Sequence, residues 1–302
     1  MPPWFRKKAI YEIWTIIMTE LQTPLLELRN AVKEFRSGSM FSKSVLRAVD
    51  SISLTINEDK PSITAIAGES GSGKTTLGKL ILGLTSPTEG EILYKGKLIR
   101  DLKGGERREY RQNVQAIFQD PFAVYNPFYK VDHLFDAPIK KYKLSDNKEK
   151  SRALIEEAIE TVGLRVPETL GRYPHQLSGG QRQRIMVARA LMIKPKIIVA
   201  DEPVSMVDAS LRATILEALR EMHETYGISI IYITHDLNTA YQIASDITIM
   251  YQGKVVEQGD VDKVINHPSH PYTKLLVNCI PKPDPTDKWI ETEELQELIK
   301  NL

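Results

Sequence analysis

The chain has one cysteine, Cys279, among its 302 residues. A single thiol forms no internal disulfide and no cysteine-only metal site, which excludes a disulfide-stapled scaffold and fits a reducing compartment. An excess of charge of one sign is also missing, because 40 basic and 39 acidic side chains leave a formal net charge of +1. No overall field therefore attracts nucleic acid or anionic lipid, and we expect no nucleic-acid partner.

Long apolar runs are absent as well, since no segment approaches the ~20 consecutive apolar residues that a membrane-spanning helix needs. Membrane contact is therefore expected only through a partner. The first residues imitate a signal peptide, but Glu12 interrupts the apolar stretch and no small-x-small cleavage site follows. Secretion is not expected.

Residues 1–24 form an N-terminal extension with apolar residues at the spacing of one helical face. This spacing predicts a short amphipathic helix. It is either a loosely packed extension, or upstream residues before a start at Met18, or a segment that docks on a partner or on lipid. The helical face comprises Ile10, Ile13, Trp14, Ile17 and Leu21.

Hydrophobic periodicity predicts an α/β protein. A buried strand over 62–67 ends at a glycine-rich turn, and a helix over 75–84 follows it. Apolar runs at 196–200 and 228–234 flank a helix over 210–226, which is typical of buried parallel strands joined by a right-handed crossover.

Two further segments complete this outline. Residues 91–94 and 96–99 carry a hairpin signal. Residues from about 122 to 185 read as a helical insert, because proline and aromatic residues give way to a charged, helix-forming run over 146–162. Its predicted inward face is Ala153, Leu154, Ala158 and Val162.

The glycine-rich turn fits the pattern G-x-x-x-x-G-K-[ST] between a strand and a helix. Its glycines let the backbone N–H groups and the helix N-terminus surround a phosphate. Lys74 would reach the β and γ phosphates, and the Thr75 hydroxyl would bind magnesium. The predicted phosphate-binding residues are Gly68, Glu69, Ser70, Gly71, Ser72, Gly73, Lys74, Thr75 and Thr76.

A pair of carboxylates, Asp201 and Glu202, follows the apolar run 196–200. A strand that delivers an aspartate to magnesium is the second half of a nucleotide site. The alternative is a carboxylate pair that caps the turn before Pro203. Because adjacent acids repel unless a cation or a proton relieves them, we favour the nucleotide site.

A second candidate anion site opens another helix at Ser178, Gly179, Gly180 and Gln181. Serine before two glycines exposes N–H groups and a hydroxyl at a helix N-terminus. One nucleotide hardly needs two such sites, so we predict that this motif serves the nucleotide of another subunit. A plain helix cap with a solvated basic face is the alternative.

Four motifs resemble those of the ABC ATPase family in their order and spacing. They are the loop at 68–75, the Leu-Ser-Gly-Gly-Gln motif, the strand before Asp201 and Thr234-His235-Asp236. The resemblance covers about residues 25–260. It implies a P-loop NTPase (RecA-like) core, an antiparallel β subdomain, a helical subdomain and a C-terminal extension at 261–302. It also implies ATP and Mg²⁺ as cofactors.

The resemblance further implies roles for single residues. Gln119 corresponds to the Q-loop glutamine, Asp208 to the D-loop aspartate, His235 to the switch histidine and Phe35 to the aromatic residue that stacks on adenine. Glu202, His235 and Gln119 would act in catalysis. The implied magnesium ligands are Thr75, Gln119 and Asp201.

A narrower resemblance rests on His267-Pro-Ser-His270-Pro-Tyr-Thr273 and on Arg172-Tyr-Pro-His175. The first segment is similar to the C-terminal extension of the oligopeptide and dipeptide importer branch, and the second is similar to that branch's F-type ATPase subunit. The implied partners are a D-type ATPase subunit, two membrane permeases and an extracellular or periplasmic binding protein, with this chain at the cytoplasmic face of the membrane. An oligosaccharide importer and a soluble ABC ATPase acting on nucleic acid or ribosomes remain alternatives.

Overall fold

The computed structural model describes residues 23–39, 42–120, 125–205 and 207–279, without the side chains of 37–39, 42 and 43. The predicted amphipathic helix and the proline-rich residues after 279 lie outside this part. The strands are β1 (Leu26–Ser39), β2 (Ser42–Ile56), β3 (Ile63–Ala67), β4 (Glu89–Tyr94), β5 (Lys97–Leu98), β6 (Val114–Ile117), β7 (Ile197–Asp201), β8 (Ser229–Thr234), β9 (Asp246–Tyr251) and β10 (Lys254–Asp260).

Helices connect these strands and follow them at the C-terminal side of the described chain. They are α1 (Lys74–Ile81), α2 (Gly104–Asn113), α3 (Asp132–Tyr142), α4 (Lys148–Thr161), α5 (Val166–Thr169), α6 (Gly179–Ile193), α7 (Ala209–Tyr226), α8 (Leu237–Ile243), α9 (Val261–Asn266) and α10 (Pro271–Asn278). Within the described ranges, none of them combines the length and the apolar character needed to cross a membrane.

The larger sheet has the strand order β10-β9-β3-β8-β7-β6. Strands β9, β3, β8, β7 and β6 run parallel, and β10 pairs antiparallel to β9. The predicted strands at 62–67, 196–200 and 228–234 are confirmed as β3, β7 and β8. The predicted parallel crossover is confirmed too, because β7 and β8 pair directly and α7 joins them.

Both faces of this sheet are buried, which explains why its strands are continuously apolar. In β8, Ile230 and Tyr232 face one apolar cluster with α6 and α7, whereas Ile231 and Ile233 face another with α1 and the smaller sheet. Side chains alternate along a strand, so an uninterrupted apolar run supplies two cores at once. The molecule is therefore layered around the parallel sheet.

The smaller sheet is antiparallel and has the order β2-β1-β4-β5. The predicted hairpin is confirmed as β4 and β5, although β5 has only two residues and a 3₁₀ turn at Ile99–Asp101 takes over the rest. The α/β fold with an antiparallel β subdomain is thus confirmed.

Helix α6 runs from Gly179 to Ile193, so a helix opens at the Ser178 motif as predicted. The inward face of α4 differs from the prediction in one respect. The predicted inward residues Ala158 and Val162 are buried and Leu154 packs against the core, but Ala153 is exposed, and Ile155 and Ile159 are buried in addition. The branched side chains bury more apolar area than alanine, so the helix turns them inward together with Ala158 and Val162.

Candidate functional site

Four neighbouring parallel strands bring the predicted residues to one edge of the sheet. The glycine-rich loop follows β3, His235 follows β8, the carboxylate pair stands at the end of β7, and Gln119 follows β6. The carboxyl ends of parallel strands meet at the same edge, where open α/β sheets bind their ligands.

Glycine is required in the loop by close backbone contacts. A Cβ atom on Gly68 would lie 2.2 Å from the carbonyl oxygen of Met250, and one on Gly73 would lie 2.0 Å from that of Ala48. Both glycines also have positive φ angles, of 148° and 105°. The loop is therefore wrapped against β2 and β9, in a conformation that other residues rarely adopt.

Lys74 is buried inside this loop, with 5% of its surface exposed. Its Nζ atom donates to the carbonyl oxygens of Gly68 and Glu69, at 2.7 Å each. Burial lowers the pKa of Lys74, and the nearby charges of Glu202 and Asp201 oppose that shift. The ammonium group is thus held in one place and faces two carboxylates.

Asp201 and Thr75 meet across the site. The Thr75 hydroxyl donates to Oδ1 of Asp201 at 3.3 Å. Burial raises the pKa of Asp201, and the charge of Glu202 raises it further, although the Thr75 hydrogen bond lowers it in part. A positive charge placed here would relieve the repulsion between the two carboxylates.

Glu202 is held in an unusual backbone conformation, with a φ angle of 46°. Its N–H donates to the carbonyl oxygen of Ile233 in β8 at 2.9 Å, which fixes the residue between two strands. Gln119 Nε2 donates to Oε2 of Glu202 at 2.8 Å, and His235 Nδ1 lies 2.9 Å from Oε1. Both carboxylate oxygens therefore have a polar partner, and the backbone strain marks a functional site.

A cavity of about 490 Å³ joins these side chains to the smaller sheet. Phe35, which is 45% exposed, and Leu46, which is 66% exposed, pair across β1 and β2 and line its apolar end. The rest of its lining comprises Ala48, Ser70, Gly71, Gly73, Lys74, Thr75, Thr76, Gln119, Glu202 and His235.

The second candidate anion site, Ser178 to Gln181, is well formed, but its residues do not line this cavity. Ser178 Oγ accepts from Gln181 N at 3.2 Å, and Gln181 Oε1 accepts from Ser178 N at 2.8 Å, so the two residues form a complete capping box at the N-terminus of α6. A Cβ atom on Gly180 would lie 2.8 Å from Leu211 of α7, which explains that glycine. Gly179 begins the helix, and Asp208, also outside the lining, is exposed before α7.

Comparison with known families decides what this site belongs to. The family model described as ABC transporter matches residues 49–205, from β2 to beyond the carboxylate pair. The chain belongs to the ABC transporter family. It is therefore an ABC-type ATPase, and a second model, described as oligopeptide/dipeptide transporter, C-terminal region, matches residues 256–300.

Among curated ABC transporter proteins, the chain is 40% identical to the oligopeptide transport ATP-binding protein OppF of Streptococcus mutans, over 89% of this chain and 85% of that protein. It is 42% identical to the dipeptide transport ATP-binding protein DppF of Lactococcus lactis, over 86% and 82%. The dimeric ATP-binding cassette MJ0796, solved with ADP and Pi, superposes with a TM-score of 0.69 at 29% identity, covering 78% of this chain and 98% of that one.

The donor set of this ABC site fits magnesium. A hydroxyl from Thr75, a carboxylate from Asp201 and a side-chain amide oxygen from Gln119 are hard oxygen ligands of the kind that Mg²⁺ prefers. Thr75 and Asp201 are already in contact, and the raised pKa of Asp201 indicates a carboxylate that a cation would stabilise. The structure thus brings the three predicted ligands to one place.

The sequence did not point to two residues that hydrogen-bond to the site and lie far from it along the chain. Gln183 of α6 is buried and donates from Nε2 to the carbonyl oxygen of Phe118 at 3.2 Å, directly before Gln119. Its position three and four residues before Met186 and Val187 on the apolar face was an available signal. The other is Tyr272, which contacts the loop from 203 positions away, and no local pattern indicates that contact.

Proposed function

We propose that this chain is the ATP-hydrolysing subunit that energises an importer of oligopeptides or dipeptides. The match of residues 256–300 to the oligopeptide/dipeptide transporter C-terminal region carries the proposal, because that region lies outside the segment matched by the general ABC transporter model. The names of the curated relatives support the same substrate class.

In the proposed site, Lys74 and the loop N–H groups bind the β and γ phosphates, while Phe35 packs on the adenine. Thr75, Asp201 and Gln119 hold magnesium, which when bound would neutralise charge on the phosphoryl oxygens. Glu202 orients or deprotonates the attacking water, and His235, on the same carboxylate, contacts the γ-phosphate. Electrostatic stabilisation of the phosphoryl group by Lys74 and the loop N–H groups would supply a large part of the rate enhancement.

We further propose a head-to-tail pair of ATPase subunits. Ser178, Gly179, Gly180 and Gln181, with Asp208, would contact the nucleotide on the partner's phosphate loop. Their location outside this chain's own cavity supports that arrangement, as does the dimeric state of the related cassette MJ0796. The proposed partner in this pair is a D-type ATPase subunit. The other proposed partners are two membrane permeases, with this chain at the cytoplasmic face of the membrane, and a substrate-binding protein.

The test is isolation of the native complex through a tag on this chain, followed by reconstitution in liposomes with the binding protein that co-purifies. We expect uptake of a labelled tripeptide that requires ATP on the side of this chain and is lost with Glu202→Gln. Uptake of an oligosaccharide but not of the peptide would mean that the transported substrate is an oligosaccharide. Co-purification of ribosomes or DNA without permeases would reject the transporter role.

A further inference from the structure

A side chain of the C-terminal region contacts the phosphate loop. The hydroxyl oxygen of Tyr272, in α10, accepts a hydrogen bond of 2.8 Å from the backbone N–H of Glu69, in the loop. Because the two residues are 203 positions apart, the contact joins the two segments that different family models match.

Tyr272 is rigidly held where it makes this contact. It is 2% exposed, and its ring packs on that of Tyr251 at a centroid distance of 4.3 Å. The turn before α10 is bound to β10, since the carboxylate of Glu257 accepts from the backbone N–H groups of Ser269 at 2.7 Å and His270 at 3.0 Å. The position of the hydroxyl is therefore set by the sheet and not by the loop.

The same loop peptide also binds Lys74. The Glu69 N–H, which donates to Tyr272, and the carbonyl oxygen of Gly68 belong to the same peptide group. That oxygen accepts a hydrogen bond of 2.7 Å from Lys74 Nζ. A peptide group is planar, so fixing its N–H also fixes the direction of its C=O. Burial raises the pKa of Tyr272 to about 12, so the hydroxyl stays neutral at any physiological pH.

We propose that Tyr272 is a positioning residue for ATP binding, whose hydroxyl orients the Gly68–Glu69 peptide and through it Lys74. The C-terminal region then sets the affinity of the phosphate loop from a distance. The inference rests on the proposed assignment of this loop as the ATP site and is independent of which substrate is transported.

The experiment compares Tyr272→Phe with Tyr251→Phe in the full chain assembled with its partners. The first substitution removes only the hydroxyl that meets the loop. The second removes the hydroxyl of the neighbouring ring, which accepts only from the exposed amide of Gln252 among the contacts described, at 3.1 Å. We expect Tyr272→Phe to weaken ATP binding and raise KM about 3- to 10-fold with kcat within about twofold, the effect of one hydrogen bond.

Amide hydrogen exchange gives a second readout that a loss of packing would not produce. In Tyr272→Phe the Glu69 amide should exchange faster while the midpoint of thermal unfolding stays near that of Tyr251→Phe. Unchanged affinity in Tyr272→Phe, or equal weakening in both variants, would overturn the inference. Lys74→Ala distinguishes a failure of the ATP-site assignment from a failure of the role of Tyr272. If Lys74→Ala binds ATP normally, the loop is not the ATP site. If Lys74→Ala binds ATP weakly and Tyr272→Phe binds it normally, only the role of Tyr272 is rejected.

Discussion

The Nδ1 atom of His235 lies 2.9 Å from Oε1 of Glu202, although the two residues are 33 positions apart. Gln119 holds the second carboxylate oxygen at 2.8 Å, and the Glu202 side chain is only 14% exposed. The carboxylate is thus oriented from two sides by residues that follow two other strands. The proposed role of Glu202, activation of a water molecule, requires such orientation.

We expect Glu202→Gln to leave ATP affinity near that of the wild type and to lower hydrolysis by about 100-fold or more, because a general base contributes at least that much. The amide retains the shape of the side chain and leaves the phosphate loop unchanged. Single-turnover hydrolysis and equilibrium nucleotide binding in the assembled complex measure the two effects. Lys74→Ala is the comparison variant, since it should weaken ATP binding. If Glu202→Gln hydrolyses ATP at the wild-type rate, Glu202 does not activate the attacking water.

The apolar end of the cavity predicts where the base binds. Phe35→Ala should cost about 1–3 kcal/mol of ATP binding, taking base–aromatic stacking as the guide. Affinity for inorganic triphosphate should not change, because the loop is untouched. Leu46→Ala, on the paired position of β2, removes an aliphatic side chain from the same end of the cavity and is the comparison variant. If Phe35→Ala binds ATP normally, the adenine contact must be sought at Leu46, at Phe41 or along the aliphatic part of Arg47.

The head-to-tail arrangement makes a prediction about which site fails. Ser178→Arg places a long cation at the exposed N-terminus of α6, so it should block hydrolysis at the partner's phosphate loop while this chain's Lys74 still binds ATP. Mixing the variant with wild-type partner and assigning trapped nucleotide by photo-crosslinking checks this. If trapped nucleotide is lost only at this chain's own phosphate loop, the motif acts in cis, contrary to the proposal.

Attachment of the C-terminal region should depend on pH through Glu257. Burial alone would raise the pKa of Glu257, but the hydrogen bonds it accepts, including those from the Ser269 and His270 N–H groups, outweigh burial and lower it. A lowered folded-state pKa stabilises the fold above the ordinary glutamate value of about 4.3, and this contribution is lost as pH falls through the folded-state value.

Thermal unfolding of the wild type and of Glu257→Gln between pH 7 and pH 3 tests this linkage. The wild type should be more stable at neutral pH, and the difference should shrink as the pH drops below about 4, where the carboxylate becomes neutral. A difference that stays constant over the whole range would show that the charge of Glu257 contributes nothing.

The local features of the site could be read from the sequence. A phosphate loop, a helix cap and a buried strand depend on consecutive residues, so Gly68 to Thr76, Ser178 to Gln181 and the run before Asp201 carried enough information by themselves. The inward face of α4 was misassigned at Ala153 because Ala153 and Ile155 both fit an apolar helical stripe, and only packing against α6 decides between them.

The sequence by itself determined the family and the parallel crossover between β7 and β8, and it predicted which residues bind phosphate, bind magnesium and activate water. Only the tertiary structure decided their mutual geometry: the clamp on Glu202 by Gln119 and His235, the pairing of Phe35 with Leu46, and the Tyr272 contact to Glu69. The physical reason is that side chains contributed by distant segments come together only when the two apolar faces of the sheet are covered, and no local spacing encodes those distances.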